Sequence, residues 1–172
     1  EIVDCDWSSD VCSSDLDYST LKLHGGTGTN LWINHFDRSG GTGDDPSVLV
    51  VTSAGEVIVT GNSTATNFSD YLTVKYSAAG TPVWTNRYDS GGSMSLEDKS
   101  MAVAVDSAGN VYVTGESDTH IRTIRYASAA NQGGNQVVTT NTVGAGSISG
   151  FLFNISVGTD RKSTRLNSSH SQ

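Results

Sequence analysis

Three stretches of the sequence return about 50 residues after they first occur. Asp17-Tyr18-Ser19-Thr20-Leu21-Lys22 returns as Asp70-Tyr71-Leu72-Thr73-Val74-Lys75. Trp32, followed by Asn34 and Phe36-Asp37, returns as Trp84, Asn86 and Tyr88-Asp89. Ser53-Ala54-Gly55-Glu56-Val57-Ile58-Val59-Thr60-Gly61 returns as Ser107-Ala108-Gly109-Asn110-Val111-Tyr112-Val113-Thr114-Gly115. The spacings are 53, 52 and 54 residues. A weaker third copy of the first stretch is Thr123-Ile124-Arg125-Tyr126. Gly134 to Thr140 then stands where Gly80 to Asn86 predicts, with Val138 in place of the Trp. A period of this length implies supersecondary units that each bury their faces on a neighbour, rather than one irregular core.

Each unit holds four strand candidates, which in the best copy are 48–52, 56–60, 71–76 and 83–88. They are rich in Val, Ile, Thr, Tyr and Trp, the residues that suit a pleated sheet. Val57 and Val59, and Leu72, Val74 and Tyr76, fall at period two, which predicts one more apolar face per strand. Ser-Ala-Gly at 53–55 and 107–109 predicts a tight turn with Gly at positive φ, and Ser77-Ala78-Ala79-Gly80 predicts another. No segment sustains a helical period. The fold class that follows is all-β, built of two to three four-stranded antiparallel sheets.

The two ends do not share this pattern. Residues 1–16 and 160–172 are Ser-rich and lack strand alternation. Asp6 to Leu16 and Asp160 to Ser169 can be encoded by reverse-complementary DNA, and the match extends outward through Val3 and Gln172. This predicts that both flanks are translated sequencing-adaptor sequence, disordered and outside the fold. Both cysteines, Cys5 and Cys12, then leave the discussion, and no disulfide, zinc or thiol argument remains. With a cut at each end, the lack of a signal peptide carries no information.

The stretches Asp70-Tyr71-Leu72-Thr73-Val74-Lys75-Tyr76, Val83-Trp84 and Ala104-Val105-Asp106-Ser107-Ala108-Gly109-Asn110-Val111-Tyr112-Val113-Thr114-Gly115 resemble the bacterial seven-bladed β-propeller repeat, often labelled SBBP. The resemblance covers most of 17–126. It is most specific over 70–117 and looser in the first copy, where Thr52-Ser53-Ala54-Gly55-Glu56 departs from the pattern. It implies an incomplete ring of blades over 17–143: two outer strands, one full blade and one diverged blade. Residues 144–159 are then either a degenerate strand pair or the start of another domain. It further implies a secreted or cell-surface protein whose neighbours are other blades, and it transfers no catalytic residue.

Chemistry-bearing residues are sparse. His24, His35 and His120 lack metal-ligand spacing, and His24 and His35 read as partly solvated residues in or beside strands. Asp44-Asp45 and Glu97-Asp98, 53 residues apart in Gly/Ser-rich surroundings, are the candidate calcium ligands. Their spacing fits no calcium-loop motif, so a charged, soluble loop copied by the repeat is the plainer reading. Lys22, Lys75 and Arg125 recur at one strand position, which predicts a solvated face or a cross-strand pair. No nucleophile elbow occurs, and Gly25-Gly26-Thr27-Gly28 reads as a turn.

The net charge of −8 argues against nucleic acid, and no apolar run is long enough for a membrane helix. Two functions remain, besides a spacer role for the propeller beside a catalytic or anchoring domain elsewhere in the parent chain. One is a non-catalytic scaffold that binds a glycan or protein through its loops, with no cofactor. The other is a piece of a propeller enzyme, such as a polysaccharide lyase, glycosidase or quinoprotein-like dehydrogenase. Gly25 to Trp32 is mildly similar to a quinoprotein turn, by fold analogy only. The regularity of the repeat favours the scaffold.

Overall fold

Ser-Ala-Gly turns fold the chain back on itself at regular intervals, and the strands between them pair with their sequence neighbours. The computed structural model describes residues 18–37, 43–64, 68–91, 97–117 and 120–128, and the backbone of 136–141, 155–157 and 164–166. The strands are β1 (Tyr18–Leu23), β2 (Asn30–Phe36), β3 (Gly43–Val51), β4 (Val57–Thr64), β5 (Ser69–Tyr76), β6 (Pro82–Tyr88), β7 (Asp98–Val105), β8 (Val111–Ser117), β9 (His120–Tyr126), β10 (Gln136–Asn141), β11 (Ile155–Val157) and β12 (Thr164–Leu166). They form two four-stranded antiparallel meanders, β3-β4-β5-β6 and β7-β8-β9-β10, and two hairpins, β1-β2 and β11-β12. The all-β expectation holds.

The turns work as their sequences predict. In Thr52–Glu56, Ser77–Thr81 and Asp106–Asn110 the first residue's N–H donates to the last residue's carbonyl, and the Gly N–H donates back to the first carbonyl. Gly55, Gly80 and Gly109 sit at φ of 79°, 86° and 81°, where a side chain would be strained. The first residue of each turn is polar for a reason. Thr52 Oγ1, Ser77 Oγ and Asp106 Oδ1 each accept the N–H four residues on, giving it a partner where the ladder ends.

Two strands are longer than expected. β3 starts at Gly43 rather than Val48, and β4 runs on to Thr64 rather than Thr60. Gly43-Asp44-Asp45-Pro46 and Asn62-Ser63-Thr64 show no apolar alternation, yet they pair with each other across the sheet. Backbone hydrogen bonding, not side-chain pattern, carries the sheet there. Between the two halves of β3 the register slips at Ser47, and β7 slips equivalently at Met101. Gly61 and Gly115 lie opposite these bulges. A Cβ there would stand 2.1 Å from the Asp45 carbonyl oxygen and 2.0 Å from that of Lys99. The Thr-Gly at the end of each repeated stretch is thus fixed by the approach of the neighbouring backbone.

The expectation of one apolar face per strand fails for the centre of the stack. β5 is buried along its whole length. Val57, Val59, Leu72, Val74 and Tyr76 face the β1-β2 hairpin with Tyr18, while Ile58, Tyr71, Trp84 and Tyr88 face the second meander with Val111, Val113, Ile124 and Tyr126. A sheet sandwiched between two others needs apolar residues on both sides.

The two interfaces share a set of contacts. Tyr18 donates to the Leu72 carbonyl at 3.2 Å, and Tyr71, one unit on, to the Arg122 carbonyl at 3.5 Å. Trp32 packs on Tyr76 with ring centroids 5.7 Å apart, and Trp84 on Tyr126 at 5.3 Å. Tyr18 and Phe36 form the same cross-strand pair as Tyr71 and Tyr88. Within each meander Thr60 bonds Thr73 at 3.0 Å, and Thr123 bonds Thr114 at 2.9 Å. Repeated sequence has produced repeated packing.

Pairing corrects one sequence equivalence. Gln136, not Val138, lies opposite Arg125, where Trp84 lies opposite Lys75 and Trp32 opposite Lys22. A slip between Val137 and Thr139 displaces the alignment. Within the C-terminal flank expected to be disordered, Thr164–Leu166 pairs with Ile155–Val157, a difference from that expectation. The N-terminal flank 1–16, including both cysteines, lies outside the described residues, as does 144–154.

Candidate functional site

Charged side chains collect at one end of the sheets, opposite the Ser-Ala-Gly turns. β3, β5 and β7 begin there and β6 ends there, and side chains from the starts of β5 and β7 converge with one that follows β6. Asp44 and Asp98 sit on strands and are 3% and 1% exposed, which corrects the picture of a solvated loop. They are also each other's equivalents. Asp44 pairs with Ser63 and Asp98 with Ser117, and the two serines are buried in the same way. Matching Asp44-Asp45 to Glu97-Asp98 at a spacing of 53 was therefore one residue out of register. Asp45 and Glu97 are exposed, and Glu97 forms an ion pair with Lys99.

The residues that converge are Asp70, Asp89 and Asp98, each with a carboxylate oxygen within 4.8 Å of the others. Of the four calcium candidates, only Asp98 belongs to this group. Asp70 opens β5 beside Tyr71, and Asp89 follows Tyr88. Because Tyr71 and Tyr88 are cross-strand partners, their acidic neighbours end on the same edge of the hairpin. Asp98 arrives from the next meander and accepts the Ser90 N–H at 2.8 Å.

Arg87 stands among these acids. Its Nε and a terminal nitrogen both bond Asp70 Oδ2, and the second nitrogen lies 3.6 Å from Asp89. Burial pushes the Asp70 carboxyl up, Arg87 pulls it back, and Asp89 and Asp98 push it up again. The net result is a carboxyl above its ordinary range. A guanidinium that donates twice to one oxygen supplies positive charge to the cluster. Carboxylates are also the ligands of oxygen-bound divalent cations, and Arg87 competes for Asp70 Oδ2 with any such ion.

The histidines keep to the surface. His24 heads the β1-β2 turn, and its Nδ1 accepts the Gly26 and Thr27 N–H groups, doing the work of Ser77 in a turn one residue longer. His35 is exposed on β2 and bonds Ser19, while His120 opens β9. The recurring cations differ in their partners, Lys22 donating to the Ala78 carbonyl and Lys75 pairing with an acid. Lys75 is 6% exposed and paired with Glu56 at 2.9 Å, a cross-strand ion pair rather than a solvated face.

Asp106 is held at the β7-β8 turn by several hydrogen bonds. It accepts from the Ala108 and Asn110 backbones, from Asn110 Nδ2 and from the Tyr112 hydroxyl. Burial alone pushes it up, but these hydrogen bonds, led by Asn110, outweigh burial and hold the carboxyl below its ordinary range. Asn110 in turn accepts the Ser128 N–H, which ties the β7-β8 turn to the end of β9. Asp-Ser-Ala-Gly-Asn-x-Tyr is a structural clasp.

Among the described residues, no helix is long and apolar enough to cross a membrane. No curated protein matches the chain. The family described as SBBP: Beta-propeller repeat matches residues 98–122, from the start of β7, through the Asp106 clasp and Gly115, into β9.

Proposed function

We propose that the chain is a run of β-propeller blades from a secreted or cell-surface bacterial protein, serving as a non-catalytic binding scaffold. The carrying observation is the interface that occurs twice, with Tyr on backbone carbonyl and Trp on Tyr in both copies. Units that stack through one repeated contact extend by adding copies, and a ring of such units presents many similar loops to a ligand. The family similarity over 98–122 agrees with this reading. So does the chemistry: Arg87 and Asp106 are spent on structure. A glycan or a protein surface is the kind of ligand that repeated polar loops suit.

The test is to pass the chain over immobilised extracellular polysaccharides and surface proteins, and to assay the same mixtures for products. Saturable binding that leaves the polymer intact supports the scaffold. Cleavage or oxidation of the polymer replaces it with the enzyme reading.

A further inference from the structure

The Asp70, Asp89 and Asp98 carboxylates come from both meanders, the first two from the ends of β5 and β6 and the third from the start of β7. One oxygen of each lies within 4.8 Å of the others. Oxygens that share one calcium ion at about 2.3–2.6 Å stand no more than about 5 Å apart, so a single ion reaches all three. Arg87 engages Asp70 through Oδ2, which leaves Oδ1 of the same carboxylate for a second partner. Three carboxylates beside one guanidinium keep an excess of two negative charges, which is the charge a divalent ion cancels. Buried charges are held by pairing or by a metal, and Asp70 and Asp98 are both buried.

Two serines point to a ligand independently of the acids. Ser69 and Ser117 are 7% and 0% exposed, and neither hydroxyl has a hydrogen-bond partner. Ser117 lies directly opposite Asp98, so both side chains leave their sheet on one face. That face looks at the first meander, because Ser100, two residues after Asp98, donates to the Gly61 carbonyl. Ser69 precedes Asp70 and shares the face of Tyr71, which packs on the second meander. Two enclosed hydroxyls thus enter the same interface from opposite sides, beside the acids. A buried hydroxyl without a partner is costly, and an ion or the water it carries supplies one. We propose that Asp70, Asp89 and Asp98, with Ser69 and Ser117, form a calcium site that bridges the two meanders. Asp70 is shared between the ion and Arg87, the exposed Asp89 leaves room for water ligands, and the hydroxyls complete the shell directly or through those waters. With Arg87 offsetting part of the charge, the dissociation constant falls at about 10⁻⁴–10⁻³ M. The site goes beyond the scaffold reading and needs only that the two meanders stack.

The test is titration of the full chain with Tb³⁺ and then Ca²⁺. Tyr71 and Tyr88 adjoin Asp70 and Asp89, so Tb³⁺ in the site is excited through tyrosine. The expected result is saturable Tb³⁺ emission that Ca²⁺ reverses, and a melting temperature higher by on the order of 4 °C at Ca²⁺ tenfold above its dissociation constant. Asp98→Asn should abolish binding, and Asp89→Asn, at an exposed position, should weaken it at least tenfold with the circular dichroism unchanged. Glu97→Gln, beside Asp98 but outside the cluster, should change it by less than about twofold. Ser117→Ala should weaken binding severalfold yet leave the ion-free chain no less stable, since it removes an unsatisfied buried group. No saturable emission up to tenfold the upper end of that affinity range, or equal affinity in Asp89→Asn and Ser117→Ala, overturns the site. If the Trp84–Tyr126 ring contact persists in solution in that event, the scaffold reading stands without the ion. Loss of that contact overturns the stacked units and the site together.

Discussion

Trp84→Ala removes the largest side chain from the core between the two meanders. Trp84 is 6% exposed and lies tilted against Tyr126, 5.3 Å between centroids. Truncating a buried Trp costs about 3–5 kcal/mol, of which an aromatic pair contributes about 0.5–1.5 kcal/mol. Trp32 makes the same contact with Tyr76 but is only half-buried, so Trp32→Ala should cost roughly half as much. Domains of this size have about 5–15 kcal/mol to lose, so the first substitution removes a large share. The assay is urea unfolding followed by far-UV circular dichroism, with the m-value held as a check on cooperativity. At about 3 °C per kcal/mol, the melting temperature should fall by on the order of 10 °C for Trp84→Ala. A loss below about 1 kcal/mol, or one smaller than that of Trp32→Ala, would refute the claim that sheet stacking through Trp84 holds the molecule together.

Three further outcomes follow from the charged groups. Arg87→Gln should destabilise by about 1.5–3 kcal/mol, toward the low end because the guanidinium is partly open to solvent. Asp70 already titrates above its ordinary value, and a carboxyl raised by folding contributes stability below the unfolded pKa that is lost as pH rises. The Arg87→Gln deficit should therefore shrink in urea titrations as pH falls through this raised value, starting above about pH 4. Asp106 behaves in the opposite sense. Its lowered folded pKa gives stability that is present above the unfolded value and lost as pH falls through the folded one, so Asp106→Asn should flatten the acid limb of the urea midpoint. At the alkaline end, burial pushes Tyr126 up to about 12 and Tyr18 and Tyr71 further up. Stability tied to these phenols is complete below about pH 10 and fades as pH rises toward the folded values. Their ionisation, read as tyrosinate absorbance, should appear together with loss of the β-sheet dichroism rather than before it.

The repeat made much of the fold legible. Gly55, Gly80 and Gly109, each three residues after a Thr, Ser or Asp, fixed the turns, and the valines and tyrosines at period two fixed the inner parts of the strands. Interactions between backbones hid the rest. Gly43 to Pro46 and Asn62 to Thr64 carry no side-chain alternation, so their pairing was invisible to pattern. The bulge at Val138 shifted register by a residue. The 53-residue spacing of the first stretch, applied to strands that repeat at 54, mistakes Asp45 for the partner of Asp98. The acidic cluster was half legible. Asp70 and Asp89 flank the recurring Tyr71 and Tyr88, and a hairpin register puts them side by side. Asp98 reaches them only because one meander stacks on the next, and Arg87 carries no repeat signal, since Trp32-Ile33-Asn34-His35 has His35 in its place.

The stacking of like units is tested most directly by measuring through-space contacts between aromatic rings in solution. Nuclear Overhauser effects between the Trp84 indole and the Tyr126 ring, and matching ones between Trp32 and Tyr76, are the predicted result. Strand-to-strand contacts within β3-β4-β5-β6 and β7-β8-β9-β10 without the Trp84–Tyr126 contact would contradict it. The chain would then be a string of separate meanders rather than a stack.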